Sequence, residues 1–237
     1  SITRFLQVFH STIPGRVGPV RSARSSDIDL LAGLGRPLFA WSGANPGVAG
    51  QVRAAARAGS LVDVGADSDL QGEYVRDRRR AAPHNLYANG TALHERARPA
   101  AGAEPPQGIF AYRPPEVPPA GAPAPGVRID FSGGGVVEYV WDEERQGWDR
   151  FQVDPLHPRA RSAFVDEAGR QVAPDNVVVL FLPYTPDPVD ARSPLAHSVG
   201  EGDGLVLSAG AAVPVRWSRS TVLYGWTLTA GDGQPVS

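Results

Sequence analysis

The sequence predicts an α+β fold with a mixed α/β first half and a β-meander second half. Three observations carry this reading. Capped helix starts occur before residue 99. A Pro/Ala/Gly-rich stretch then runs over residues 99–126. Beyond it, short β-forming runs are separated by glycine turns up to the C-terminus.

The elements follow in order. Ile2 to His10 reads as a strand, with Ile2, Phe5, Val8 and Phe9 as β-formers, and Pro14-Gly15 ends it. Ser25 and Ser26 offer N-caps to a short helix through Ile28, Leu30 and Leu31, closed by Gly33 or Gly35. Pro37 to Trp41 is a second strand. Asn45-Pro46 pairs a cap with proline at the first helical position, so a helix runs over Val48–Ala58 and stops at Gly59. Leu61 to Val64 is a short strand, and Asn89 or Thr91 opens a brief helix that Pro99 ends. In the second half the expected strands are Val127–Phe131, Val136–Trp141, Trp148–Val153, Asn176–Tyr184, Gly204–Ser208, Ala212–Trp217 and Val222–Thr229. Gly133-Gly134-Gly135, Gln146-Gly147, Gly202-Asp203-Gly204 and Gly231-Asp232-Gly233 are the turns between several of them. This gives an N-terminal α/β domain over residues 1–98, a stiff connector over 99–126 and a C-terminal β-rich domain over 127–237.

Composition excludes several function classes. With 42% hydrophobic and 20% charged residues, the 237-residue chain can bury a core and is not a disordered segment. A net charge of −2 supplies no field to recruit nucleic acid or an anionic membrane. The absence of cysteine removes disulfides, thiolate metal sites and cysteine nucleophiles together. No run approaches 18 apolar residues, so no membrane span is predicted. The chain has no Met, so Ser1 is not a translational start and a missing front end is expected. All 23 basic residues are Arg, and the richness in Gly and Pro marks a GC-rich codon bias. Arginine position, rather than number, is therefore the informative quantity.

Two constellations stand out. In Gly18-Pro19-Val20-Arg21-Ser22-Ala23-Arg24, two arginines three apart sit in a Gly/Pro loop directly before a helix start. Guanidinium forks beside free amides suit phosphate, sulfate or carboxylate; the alternative is a tight loop whose arginines pair with Asp27 or Asp29. The second is Ala82-Pro83-His84-Asn85-Leu86-Tyr87, after the basic run Arg76-Asp77-Arg78-Arg79-Arg80. A titratable ring, an amide and a phenol lie within reach of one pocket, or else a His-Asn pair stitches down a loop. The basic run reads as a solvated face.

The remaining candidates are weaker. The five histidines show no metal-ligand spacing, and Asp63, Asp67 and Asp69 lack the glutamate of a calcium loop, so no metal and no cofactor are expected. There is no G-x-S-x-G to nominate a serine, and Ser1 reflects where the chain begins. Gly200–Gly204 lacks the helix of a dinucleotide fingerprint and reads as a hairpin turn. Trp141, Trp148, Trp217 and Trp226 read as core or inter-strand packing, with a sugar-stacking platform as the alternative. Asn89-Gly90-Thr91 is a sequon by letter only.

Taken together, I-T-R-F (Ile2–Phe5), G-P-V-R-S-A-R (Gly18–Arg24) and A-P-H-N-L-Y (Ala82–Tyr87) resemble the YerB-like family of bacterial lipoprotein-type proteins, a family of unknown function. Tyr139–Arg150 resembles its aromatic hairpin, Asn176–Leu180 its N-V-V-V strand, and Gly202–Gly204 with Trp217 its C-terminal glycine turn and tryptophan strand. The resemblance implies a layered β/β/α-type sandwich built from an N- and a C-terminal domain. It also implies an extracytoplasmic location, with the full-length precursor anchored to the membrane by a lipid that this chain lacks. The motif positions it carries over are Arg4, Gly18, Arg21, Ser22, Arg24, Pro83, His84, Asn85 and Tyr87.

Three functions follow as expectations. The first is a non-catalytic module for an anionic envelope ligand bearing phosphate, carboxylate or glycan. Arg4, Arg21, Ser22, Arg24, His84, Asn85 and Tyr87 would be its binding residues, with amides from the helix start near Asp27. The second is a hydrolase or transferase with His84 as general base and a carboxylate such as Asp27 or Asp63 orienting it. The third is a structural protein whose β-rich half docks a protein partner.

Overall fold

The structure is a computed structural model that describes residues 4–69, 71–100, 106, 108–114, 116–117, 121–131, 135–154 and 156–236. Among these residues the fold is α+β, with three α-helices and a second half made almost entirely of strands.

The first half is built around a parallel β-α-β unit. Strand β1 (Leu38–Phe39) pairs in parallel with β2 (Val62–Asp63). Helix α1 (Ser25–Leu31) precedes this unit, and α2 (Pro46–Arg57) forms the crossover inside it. α2 starts where Asn45 predicts: its side-chain oxygen accepts the Val48 N–H at 2.9 Å, and Pro46 occupies the first turn. Its buried face, Val48, Ala49 and Val52, packs with Leu31, Phe39, Trp41 and Leu61 into one core cluster. A hairpin of β3 (Tyr74–Arg76) and β4 (Leu86–Ala88) follows, and then α3 (Gly90–Ala97), which the Asn89 side chain caps through the Ala92 N–H.

The second half contains two antiparallel sheets and a hairpin. β6 (Gly126–Phe131), β7 (Gly135–Asp142), β8 (Gly147–Val153) and β9 (Arg161–Ala163) form a four-stranded meander. β10 (Asn176–Leu180), β13 (Gly200–Ser208), β14 (Ala211–Arg219) and β15 (Thr227–Ala230) form the other sheet, with β5 (Ala122–Pro123) added on β14. Between β10 and β13 the chain makes a separate hairpin, β11 (Tyr184–Asp187) and β12 (Asp190–Ala196). The two sheets meet over Trp148, Val177 and Leu207, with Trp141 tilted against Trp148 at 5.1 Å.

Several elements differ from the sequence reading. Residues 4–10 of the first expected strand are exposed and form no ladder, while Ile2 and Thr3 lie outside the described residues. Phe5 instead stacks on Phe164 at 5.3 Å, so the aromatic is spent on packing against the meander. Ser25 and Ser26 do not cap α1. Their hydroxyls go to tertiary contacts, Ser25 donating to Gln51 and Ser26 accepting the Ala196 N–H, while Arg24 holds the cap position. Gly200–Gly204 is not a turn but the start of β13, because at Gly202 a Cβ would stand 2.7 Å from Nε1 of the cross-strand Trp217. Asn176–Tyr184 breaks after Leu180, and the expected strand from Val222 starts only at Thr227. Within the connector, β5 pairs with β14, and Phe110 stacks on Trp226 at 5.7 Å. Gly133 and Gly134 of one expected turn lie outside the described residues.

β14 alternates cleanly: Ala211, Val213, Val215, Trp217 and Arg219 are buried. The last inward position is therefore a guanidinium, 3% exposed. Arg219 donates to the carbonyls of Tyr224 (2.7 Å) and Val222 (2.7 Å), to the Ser198 hydroxyl (2.9 Å) and to the Asp29 carbonyl of α1 (3.2 Å). It also lies 4.2 Å over the Trp226 ring. These bonds hold residues 222–224 in a turn and tie the β-rich half to α1. Arg219→Met keeps the stem and removes every donor, so it should cost about 3 kcal/mol and lower Tm by roughly 6–12 °C, read by thermal and urea unfolding.

Candidate functional site

The two motifs singled out in the sequence lie side by side. Val17 exchanges backbone hydrogen bonds with Ala88, both 2.9 Å, and the Val20 N–H donates to Leu86 O at 2.7 Å, so residues 17–20 run along β4. Gly18 is required at the closest approach: a Cβ there would sit 2.7 Å from Tyr87 Cδ1 and 2.9 Å from Leu86 O. Both Gly18-Pro19 and Ala82-Pro83 are cis. This pairing brings Arg21 to His84, with Nη1 2.7 Å from Nδ1. A guanidinium can only donate, so Nδ1 is the acceptor and the ring proton resides on Nε2.

Arg4 and Arg24 complete a group of three arginines. Arg4 donates to the Ser22 carbonyl, and Arg24 donates through Nη1 to Ala23 O at 3.0 Å. Among the described residues none of Arg4, Arg21 and Arg24 has a carboxylate within ion-pair distance. Burial, and after it the charges of Arg24 and Arg21, pull the Arg4 guanidinium below its ordinary pKa, against the pull of Asp27. Asp27 is pushed up by burial, against its bond to the Arg24 amide and the guanidiniums of Arg4 and Arg24. Its carboxylate accepts that amide at 2.8 Å, which closes a cap on the start of this seven-residue helix.

The other candidates are placed differently. Asn85 is buried and accepts from Arg76 Nη1 at 2.9 Å. Tyr87 is 2% exposed, with the Arg16 guanidinium 3.6 Å above its ring. Ser22 is half-buried and meets the group through its carbonyl. His84 is half-buried; Asp27 bonds Arg24, and Asp63 bonds Trp41 Nε1 (2.7 Å) and the Gly65 amide (3.0 Å). Asp69 is filled by the amides of Gln71, Gly72, Glu73 and Tyr74. Among the described residues no group of three or more His, Asp or Glu is arranged to hold a metal ion, and no helix is long and apolar enough to cross a membrane.

An ionic network that the sequence reading missed borders these motifs. Asp77 accepts from Arg16 Nη2 (2.9 Å) and from Arg79 Nη2 (2.9 Å) and Nε (3.0 Å). Glu167, from the other half, meets Arg16 at 3.1 Å and Arg80 at 3.6 Å. The alternation of signs in Arg76-Asp77-Arg78-Arg79-Arg80 was the available signal for Asp77; nothing local points to Glu167.

Comparison with known proteins decides the family. Residues 1–103 match the N-terminal domain, and residues 127–237 the C-terminal domain, of the protein of unknown function DUF3048. The chain belongs to this family, the YerB-like proteins. A Bacillus subtilis (strain 168) member named "Putative lipoprotein YerB" is 27% identical over 247 residues, spanning 98% of this chain and 67% of that protein. The crystal structure of the YerB protein from Bacillus subtilis superposes with a TM-score of 0.71 at 20% identity, over 96% of this chain and 72% of that one. The YerB-like fold is therefore the fold of this chain, as the motifs implied.

The network sets an acid limb for stability. Hydrogen bonds from the Arg79 side chain and amide, together with Arg16, hold the Asp77 carboxyl far below the usual carboxylate range. A depressed folded-state pKa stabilises above the unfolded value, near 4, and that contribution is lost as pH falls through the folded value. Asp77→Asn should therefore lower the urea midpoint at pH 7, and the gap from wild type should narrow steadily between about pH 4 and pH 2.

Proposed function

We propose that this YerB-like protein is a non-catalytic, extracytoplasmic binding module for an anionic cell-envelope ligand bearing phosphate or carboxylate. The observation that carries the reading is the Arg21–His84 hydrogen bond, which gathers both motifs around Arg4, Arg21 and Arg24 while leaving these three cations without carboxylate partners among the described residues. Arg16, Arg79 and Arg80 are by contrast neutralised by Asp77 and Glu167. An exposed guanidinium held in place by an imidazole keeps most of its donors for a ligand and loses little rotamer entropy on binding. His84 acts here as an orienting acceptor. The hydrolase reading needs a carboxylate behind His84, and the two candidates are engaged with Arg24 and with Trp41 and Gly65. Envelope location rests on the family and on the lipoprotein name of the Bacillus relative.

The test is a thermal-shift series with phosphate, sulfate, short-chain polyprenyl phosphate and soluble anionic cell-wall fragments. A ligand at 100 times its Kd stabilises by about 2.7 kcal/mol, a shift of several degrees for a chain of this size. The shift should vanish in Arg21→Ala and shrink in His84→Ala. An undiminished shift in both Arg21→Ala and Arg24→Ala would overturn the reading.

A further inference from the structure

The charge and geometry of the arginine group specify more than the sign of its ligand. Arg21 and Arg24 lie three residues apart on one loop, and Arg4 reaches that loop from the N-terminal segment by donating to the Ser22 carbonyl between them. Each guanidinium has a bond that fixes it: Arg4 to Ser22 O, Arg21 to His84 Nδ1 at 2.7 Å and Arg24 to Ala23 O at 3.0 Å. A guanidinium carries five donors, so each fork keeps donors beyond that bond. The charges around the group do not cancel it. Asp27 acts on Arg4 and Arg24 without an ion pair, while its carboxylate accepts the Arg24 amide. Asp190 also lies within reach of the Arg24 charge, but it accepts the Ser193 hydroxyl at 2.6 Å and has Arg192 beside it. Three guanidiniums against Asp27, with Asp190 and Arg192 offsetting each other, leave an excess of two positive charges. Arg4 feels both other guanidiniums, Arg24 more than Arg21, so their mutual repulsion meets at Arg4. A carboxylate or a phosphodiester brings one negative charge and two terminal oxygens, which leaves part of that excess unanswered. A phosphomonoester brings up to two charges and three terminal oxygens, one for each fork.

Resting on the anion-site reading above, we infer that the group selects a terminal phosphate, a phosphomonoester in its dianionic form, and that Arg4 is the residue that sets this preference over monoanions.

Isothermal titration calorimetry at low ionic strength and pH 8, where a monoester is dianionic, provides the test. The probes are methyl phosphate, dimethyl phosphate and acetate. Methyl phosphate should bind about tenfold or more tightly than either monoanion. Arg4→Gln removes the charge while keeping an N–H donor for the Ser22 carbonyl, and it should bring the monoester-to-diester ratio down to about threefold or less. Arg4→Lys restores the charge and should hold the ratio above that of Arg4→Gln. A purely structural role for Arg4 would weaken both probes alike and leave the ratio unmoved, which would overturn its assignment. Hexyl phosphate and glucose 1-phosphate separate a lipid from a sugar source of the group, and the tighter of the two should match or exceed methyl phosphate; both binding more weakly than dimethyl phosphate would overturn the inference. Dimethyl phosphate or acetate binding as tightly as methyl phosphate, with all three lost in Arg21→Ala, would overturn the inference and leave the anion site standing. No binding of any probe would overturn both.

Discussion

A buried guanidinium at the end of a core strand, with no ion pair among the described residues, ties the two halves of this fold together. Arg219 occupies a position that alternation along β14 reserves for an apolar side chain, and its charge is answered by carbonyl oxygens from residues 222 and 224 and from α1. Carbonyl dipoles satisfy a cation without bringing in a second charge to desolvate, which suits arginine's planar fork better than lysine's point charge. Burial still lowers the Arg219 pKa, against the pull of Asp29. Because one of its bonds ends on Asp29, the clamp fixes α1, whose cap position Arg24 holds.

Charge compensation separates the arginines that hold the structure from those that remain available. A codon bias toward arginine spreads guanidiniums over the surface, and some acquire carboxylate partners: Arg16, Arg79 and Arg80 with Asp77 and Glu167, Arg128 and Arg161 with Glu138, Arg216 with Asp203. In the Arg4, Arg21 and Arg24 group, the carboxylate of Asp27 accepts the Arg24 backbone amide and makes no ion pair with the three side chains. Exposed ion pairs contribute little each, so a carboxylate turned inward to cap a helix costs the surface little, and it still acts on the Arg4 and Arg24 charges without an ion pair.

The sequence made the local elements legible and concealed the long-range ones. Asn45-Pro46 and Asn89 announced α2 and α3 because a cap is a contact within three residues. The strands of the meander and of the β13–β14 hairpin were visible through β-rich runs, since each pairs with its sequence neighbour. The β11–β12 hairpin was hidden by Pro186 and Pro194, which weaken any strand signal, and Gly202 was misread because a glycine admitting a tryptophan ring looks the same in sequence as a glycine in a turn. At the arginine group the residue types were legible and the meeting of Arg21 with His84 was not. That contact depends on backbone pairing between segments 63 residues apart.

Helix α1 owes little to its own propensity. Seven residues with a buried Leu31, serines at the first two positions and no basic residue in the last turn do not make an autonomous helix. It is held by contacts from elsewhere: Ala196 of β12 on the Ser26 hydroxyl, Gln51 on Ser25, and Arg219 on the Asp29 carbonyl. Two of these three come from the β-rich half. The helix, and with it Arg24 at its cap position, is thus positioned by the docking of the two halves. The β11–β12 hairpin acts on α1 through the Ala196–Ser26 bond. The start of α1, where Arg24 holds the cap position, therefore responds to how the two halves dock.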